Sequence, residues 1–102
     1  MLEWNNAKDE SRYKKYGEVS RGYGEKGPPE TMKKLMDEGL LKMKGWADST
    51  GRIIYWFEFE NMEAFGKMWA DQEFQSRLLR YNPLVDNMRV SILRPSVPVP
   101  ED

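Results

Sequence analysis

Residues 52–61 read RIIYWFEFEN, and this stretch decides the fold. Successive side chains of an extended strand point to opposite faces of a sheet. One face would carry Ile53, Tyr55, Phe57 and Phe59, and the other Ile54, Trp56, Glu58 and Glu60. Asn61, which follows, is a typical helix N-cap residue. The stretch therefore predicts a strand with one wholly apolar face that passes directly into a helix.

Residues 48–52, Asp-Ser-Thr-Gly-Arg, predict a tight hairpin with a preceding strand over residues 40–47. A three-residue loop that ends in glycine is a favoured hairpin connection. With Asp48 opposite Arg52, the apolar face is completed by pairs of Ala47 with Ile53, Gly45 with Tyr55, Met43 with Phe57 and Leu41 with Phe59. A shift by one residue would mix the two faces, so we expect this register.

The remaining segments predict a strand–helix–helix–strand–strand–helix–strand order. A short first strand covers residues 1–4, and its shortness indicates either a curtailed start or a weak element. A helix follows over residues 8–19. Pro28-Pro29 opens a second helix that Gly39 ends. A third helix runs from Met62 towards Arg80, with Asp71 able to recap it, and Asn82-Pro83 ends it. Met88, Val90 and Ile92 mark a last strand, which Arg94-Pro95 closes.

Residues 20–27 contain three glycines and literally match the pattern G-x-G-x-x-G from Gly22 to Gly27. The dinucleotide-binding fingerprint requires a strand before this pattern and a helix after it. Here a predicted helix precedes it and two prolines follow. We therefore predict a flexible loop, with a lid over a ligand cleft as the functional alternative.

Two strand–helix–strand crossovers predict an α+β, ferredoxin-like domain over residues 1–95, with a four-stranded antiparallel sheet and helices on one face. Residues 96–102 would be an extended proline-rich tail. The helix-free face would display Trp46, Ile54 and Trp56. An apolar face of this kind is usually covered in solution, so we expect a partner over it.

Composition excludes several kinds of chemistry. Among its 102 residues the chain has no cysteine and no histidine. Disulfides, thiolate nucleophiles, histidine bases and the usual zinc and haem ligands are therefore excluded. The formal net charge of −1 offers no field to attract nucleic acid. Without a signal peptide, a long apolar run or a calcium-loop pattern, we expect a soluble, cytoplasmic protein with no metal or other cofactor.

From Pro29 to Pro95 the chain resembles the dimeric α/β-barrel superfamily, which includes antibiotic-biosynthesis monooxygenases. The resemblance rests on residues 39–41, the hairpin at 48–52, the strand-to-helix passage at 57–65, the segment 69–74 and the return at 83–94. It implies a homodimer whose sheets pack face to face, with a ligand cleft between sheet and helices. It also implies cofactor-free chemistry, in which a substrate carbanion reacts with oxygen. Haem-degrading relatives use a histidine, which this chain lacks.

Candidate ligand-binding residues are Tyr13, Tyr16, Met43, Tyr55, Asn61 and Trp69, with core filling as the alternative role for the aromatic and Met side chains. The expected dimer interface comprises Trp46, Ile54, Trp56, Glu58 and Arg89. Lys42, Glu58 and Arg89 are predicted to form an ion-pair set at that interface, and a catalytic Glu58 with a burial-raised pKa is the alternative. The predicted function is a monooxygenase-like enzyme or a binder of a small apolar or aromatic ligand. A non-catalytic ligand-binding or assembly protein is the rival hypothesis.

An RNA-recognition module would share the same strand order. Residues 52–59 loosely match its RNA-binding strand, and bases would stack on Trp56. However, only one of the two stacking positions is aromatic, and the chain is slightly acidic. We therefore expect no nucleic-acid partner.

Overall fold

A computed structural model of the protein describes residues 1–93. The strands are β1 (Leu2–Asn6), β2 (Leu41–Ala47), β3 (Arg52–Phe59) and β4 (Val85–Val90), and the helices are α1 (Glu10–Lys26), α2 (Glu30–Asp37), α3 (Met62–Trp69) and α4 (Gln72–Tyr81), with a 3-10 turn at Asn82–Leu84. The predicted stop at Arg94-Pro95 and the predicted tail at 96–102 lie outside the described residues.

The four strands form one antiparallel sheet in the order β2-β3-β1-β4. This order agrees with the ferredoxin-like plan, and the predicted α+β class is confirmed. β1 lies in the interior of the sheet, between β3 and β4, although it has only five residues.

The predicted hairpin register is confirmed at every pair from Leu41–Phe59 to Ala47–Ile53. The carboxylate of Asp48 accepts hydrogen bonds from the backbone N–H groups of Thr50 (2.8 Å) and Arg52 (3.1 Å). Gly51 closes the turn with a φ of 84°, a left-handed conformation that glycine adopts without steric cost. The turn residues therefore determine which side chains share a face.

The helices pack on the apolar face of the sheet, as predicted. One buried cluster comprises Met32, Leu35, Leu41, Ala64, Met68 and Phe74, and a second comprises Leu2, Trp4 and Val85. The helices do not cover the whole face, however. Met43 is 42% exposed and Ile92 is 61% exposed. Leu41 is the one residue of β2 that is fully buried, so the helix layer protects only the start of this edge strand.

The predicted loop over residues 20–27, and with it the lid alternative, is wrong, because α1 continues to Lys26. Gly27 ends this helix with a φ of 80° and donates its backbone N–H to the Tyr23 carbonyl (2.9 Å). The Tyr23 ring packs against Tyr81 at 5.6 Å between centroids and lies 4.4 Å from the guanidinium carbon of Arg77. These contacts with α4 favour a helix where the glycines alone would disfavour one.

Asp71 divides the predicted third helix into α3 and α4. Its carboxylate caps α4 by accepting the N–H of Phe74 (2.9 Å), and its other oxygen accepts the Thr31 hydroxyl (2.8 Å) from α2. Asn61 caps α3 as predicted, accepting the N–H of Ala64 (2.8 Å). The predicted recapping at Asp71 is thus confirmed, and a continuous helix to Arg80 is wrong.

The last strand begins earlier than predicted, at Val85, and contains an irregularity. The pairing of β1 with β4 shifts by one residue between Glu3 and Asn5. Asn87 lies at this irregularity and has a φ of 57°, a conformation that asparagine tolerates better than most residues. This bulge returns Met88 to the helix side of the sheet, where it packs against the second cluster.

We expect Asp71→Ala to lower the free energy of unfolding by about 1–2 kcal/mol, because it removes the cap of α4 and the bond to Thr31. Asp71→Asn, which keeps a side-chain oxygen for Phe74, should lose less than half as much. Urea unfolding followed by circular dichroism measures both. Equal losses for the two variants would contradict the assigned capping role.

Candidate functional site

A cavity of about 480 Å³ opens beside Met1 and Leu2 at the start of β1, between β3 and the chain after β4. β3 forms one wall, and the chain after β4 forms the opposite wall. Helix α3 and the start of α4 form the floor. The cavity is lined by Met1, Leu2, Trp56, Phe57, Glu58, Phe59, Asn61, Met62, Phe65, Met68, Trp69, Phe74, Val90, Ser91, Ile92 and Leu93.

A continuous row of aromatic rings forms the helix side of the cavity. Phe59 meets Phe65 edge-on at 5.4 Å between centroids. Phe65 stacks on Trp69 at 6.0 Å, and Trp69 contacts Phe74 at 6.2 Å. Two buried residues of α3, Ala64 and Met68, fix this helix against the core. The wall is therefore rigid, apolar and suited to flat rings.

Few polar side chains line the cavity. The Asn61 Oδ1 atom is engaged as the cap of α3, which leaves the side-chain NH2 group as a donor at the cavity edge. Glu58 contributes a carboxylate from the edge of the wall, where its residue is exposed. Within residues 1–93, no group of three or more carboxylates is placed to hold a metal ion. The described site is thus a mainly apolar chamber whose lining includes the Asn61 amide, the Glu58 carboxylate and the Ser91 hydroxyl.

The structure divides the six predicted ligand-binding residues. Asn61 and Trp69 line the cavity together. Tyr13 and Met43 are 51% and 42% exposed and do not line it. Tyr16 and Tyr55 pack elsewhere, around Trp4.

Trp4 is the centre of a second aromatic group beneath α1. It is 2% exposed, stacks on Tyr81 at 5.4 Å and contacts Tyr16 at 6.1 Å and Tyr55 at 5.4 Å. Burial raises the pKa of Tyr16 to about 12 and raises the pKa values of Tyr55 and Tyr81. Because these rings pack closely against one another, Tyr16 and Tyr55 fill the core.

Sequence reasoning missed most of the cavity lining. Phe65, Met68 and Phe74 come from the helices, and Ile92 comes from the chain after β4. The helical spacing of Met62, Phe65 and Trp69 was the available signal, and by itself it indicates only a core-facing stripe.

The helix-free face of the sheet carries the predicted interface residues. Trp46 is 52% exposed, and Ile54 and Trp56 are half-buried. Glu58 and Arg89 are exposed on the same face. Trp56 and Glu58 also line the cavity, so this face and the cavity meet near the start of β1.

The predicted ion-pair set of Lys42, Glu58 and Arg89 does not form within residues 1–93. Lys42 lies opposite Glu58 in the ladder, but no ion pair joins their side chains. Arg89 lies opposite Glu3, and Glu3 instead pairs with Arg52 at 2.9 Å. Arg52 lies opposite Asn5 in the β1–β3 ladder, so it is diagonal to Glu3 on the same face and within reach of its carboxylate.

Comparison of the chain with protein-family models, with curated proteins and with solved structures finds no match. The described part of the chain contains no helix that is both long enough and apolar enough to span a bilayer. Evidence for function therefore comes from the geometry of the chain itself.

We expect the stability of the protein to fall between about pH 10 and pH 12. Tyrosine in the unfolded chain ionises near pH 10, whereas burial raises the pKa of folded Tyr16 to about 12. The unfolded state therefore loses its proton first, and rising pH favours unfolding. Tyr16→Phe should reduce the proton release on unfolding in this range by about one proton per molecule.

Urea unfolding at several alkaline pH values measures this slope. Tyr13→Phe is the matched comparison on the same helix, because it removes the hydroxyl of a side chain that lies half in solvent. An unchanged slope in Tyr16→Phe would contradict the burial of this hydroxyl.

Proposed function

We propose that the protein binds a small, apolar, aromatic ligand in the cavity beside the start of β1. The observation that carries this proposal is the row of stacked rings along one side of a chamber of about 480 Å³. Cavities that bind small molecules commonly measure about 300–1,000 Å³ and combine apolar walls with few polar groups. The chamber has this size and this lining.

The walls favour a flat ligand with one polar group. A ring would lie against Trp69 and Phe65, where burial of apolar surface supplies the main attraction. The Asn61 side-chain NH2 group would donate to a carbonyl or hydroxyl oxygen of the ligand. The Glu58 carboxylate at the edge disfavours a negatively charged ligand by repulsion.

An oxygenase-like reaction on the bound ligand is the second candidate function. The observation that favours it is the placement of Asn61 and Trp69 in one cavity, since asparagine and tryptophan position substrates in the monooxygenases that the chain resembles. Such a reaction needs a ligand that can lose a proton to form a carbanion. Oxygen uptake during ligand binding would distinguish this reaction from binding alone.

We also propose that the protein is a homodimer through the helix-free face of the sheet. The apolar centre of that face, at Trp46, Ile54 and Trp56, supports this assembly. A second copy would bury these side chains, which removes apolar surface from water. This is the assembly of the dimeric α/β-barrel superfamily, to which the chain has a resemblance in sequence pattern and in strand order.

For the ligand proposal, we expect saturable binding of 1-naphthol, measured by calorimetry. Met62→Glu should weaken binding by about tenfold or more, because it places a charge at an exposed position of the cavity lining. An acidic residue in the first turn of a helix is also favourable, so α3 should keep its stability.

Leu79→Glu is the matched control, since Leu79 is 73% exposed on α4 and does not line the cavity. It should bind 1-naphthol as well as the original chain. Equal weakening by both variants, or no binding by the original chain, would contradict the proposed site.

For the dimer proposal, we expect light scattering to give twice the chain mass of 12.1 kDa. Trp46→Lys should produce a monomer, because a buried, unpaired charge at the interface is costly. Tyr13→Lys has a matched exposure, 51% against 52%, but lies on α1 and should remain dimeric. A monomer of the original chain at all accessible concentrations would refute the dimer.

A further inference from the structure

The edge of the sheet at β2 is open. β2 is the first strand in the order β2-β3-β1-β4, and within residues 1–93 it pairs with β3 alone. Every residue of this strand from Lys42 to Ala47 is exposed, including Met43 at 42% and Trp46 at 52%. An exposed strand edge presents unpaired backbone groups to which another strand can pair. Residues 42–47 are therefore placed to receive an added strand.

Alternate residues of β2 direct their backbone groups away from the sheet. Asp48 N–H donates to the Arg52 carbonyl, and in an antiparallel ladder every second residue bonds to the same neighbour. The even-numbered residues of β2 therefore bond to β3. The outward groups belong to Met43, Gly45 and Ala47, and within residues 1–93 none of these three has a backbone bond outside the strand ladders.

We propose that this edge pairs with the same edge of a second copy of the chain, antiparallel and centred on Gly45. The four strands of each copy would then join into one continuous sheet. Such an interface is isologous, because both copies contribute the same segment. The inference goes beyond the ligand cavity and the face-to-face homodimer, since it engages backbone groups that neither of them uses.

Charge complementarity along the edge supports this register. On the helix-free face, Lys44 would lie opposite Trp46 of the second copy, and Lys42 would lie opposite Asp48 of the second copy. A lysine beside a tryptophan ring and a lysine beside a carboxylate are both attractive pairs. The Asp48 Oδ1 atom holds the hairpin, which leaves Oδ2 as an acceptor for Lys42. Within residues 1–93, neither lysine takes part in an ion pair.

Neighbouring registers are less favourable. Centring the pairing on Lys44 would place this lysine opposite Lys44 of the second copy, and centring it on Met43 would place Lys42 opposite Lys44. Like charges directly opposite each other are destabilising. Centring on Trp46 avoids these clashes but shortens the ladder, because β2 ends at Ala47. Lysines commonly prevent the pairing of strand edges, and here their positions favour one register over the others.

The helix side of the edge fits the same register. Met43 would lie opposite Ala47 of the second copy, so each would cover apolar surface of the other. Gly45 would lie opposite Gly45 of the second copy, at the symmetry axis. The Tyr55 ring lies over Gly45, where an added Cβ atom would come within 3.1 Å of the ring. The missing side chain therefore allows the Tyr55 rings of both copies to flank the axis.

The first test is the mass of the full chain, measured by sedimentation velocity from about 10 μM to about 1 mM. We expect the mean mass to rise about twofold across this range. Ala47→Pro should prevent the rise, because it removes an outward N–H group and leaves the bonds to β3 intact. Ala47→Val keeps this N–H group, so this matched control should behave as the original chain does.

Ala47→Pro leaves the helix-free face unchanged, so its effect separates edge pairing from the face-to-face homodimer. A rise in mass that persists in Ala47→Pro would overturn the edge pairing and leave the homodimer supported. A constant mass of the original chain would also overturn the edge pairing.

A disulfide cross-link tests the register, because the chain contains no cysteine of its own. Met43→Cys and Ala47→Cys chains are mixed with oxidised glutathione. Bonded residues of an antiparallel pair have Cα atoms about 5.5 Å apart, within disulfide range. Covalent heterodimers should form at least about tenfold faster than in a mixture of Ala47→Cys with Leu79→Cys. Leu79 is 73% exposed on α4, so that mixture reports random collisions.

Equal rates in the two mixtures, or equally fast self-linking of Met43→Cys alone, would overturn the register centred on Gly45. Self-linking is not expected, because the two Met43 residues would lie four positions apart along the paired strands.

Amide hydrogen exchange measured by NMR tests the state of the edge itself. In dilute protein, the amides of Met43, Gly45 and Ala47 should exchange at least about tenfold faster than those of Lys44 and Trp46, which bond to β3. Raising the protein concentration should slow the three outward amides and leave the other two unchanged. Slow exchange of the outward amides in dilute protein would show that another part of the chain covers the edge. That result would overturn the pairing, as would fast exchange at every concentration.

Discussion

The carboxylate of Asp48 accepts the backbone N–H groups of Thr50 and Arg52, and the rest of the sheet depends on the turn that these bonds hold. The turn sets the register of β2 on β3, and the register decides which side chains meet the helices. The same turn anchors β1, because the Gly51 carbonyl accepts the N–H of Asn6 at 2.8 Å. From that anchor, β1 pairs with β3 back to Tyr55, which lies opposite Leu2.

The elements that sequence could predict are those encoded by neighbouring residues. The alternation in residues 52–59 and the glycine of the hairpin specify a face and a register, and Asn61 and Asp71 specify helix starts. The end of α1 could not be predicted in this way. Gly22 and Gly24 favour a loop locally, whereas Tyr23 contacts Tyr81, far away in the chain, and that tertiary contact prevails.

The candidate site was less predictable than the fold for a related reason. Asn61 and Trp69 could be chosen because they lie at the strand-to-helix passage, and both line the cavity. Tyr16 and Tyr55 were expected beside them, but Tyr81 stacks on Trp4 and draws these rings into a separate packed group. The lining by Phe65 and Ile92 depends on how distant segments of the chain pack together, which leaves no periodic signal in the sequence.

The helix-free face and the cavity are physically joined at Trp56 and Glu58, which belong to both. In the proposed homodimer, a second sheet packed on Trp56 would close the outer mouth of the cavity and exclude water from it. A ligand in the cavity would in turn fix the position of Trp56 for the second subunit. Dimerisation then makes ligand binding more favourable, and ligand binding makes dimerisation more favourable. By thermodynamic linkage, the two changes in free energy are equal in size. The two proposals are therefore not independent, because Trp56 and Glu58 would contact both the ligand and the partner subunit.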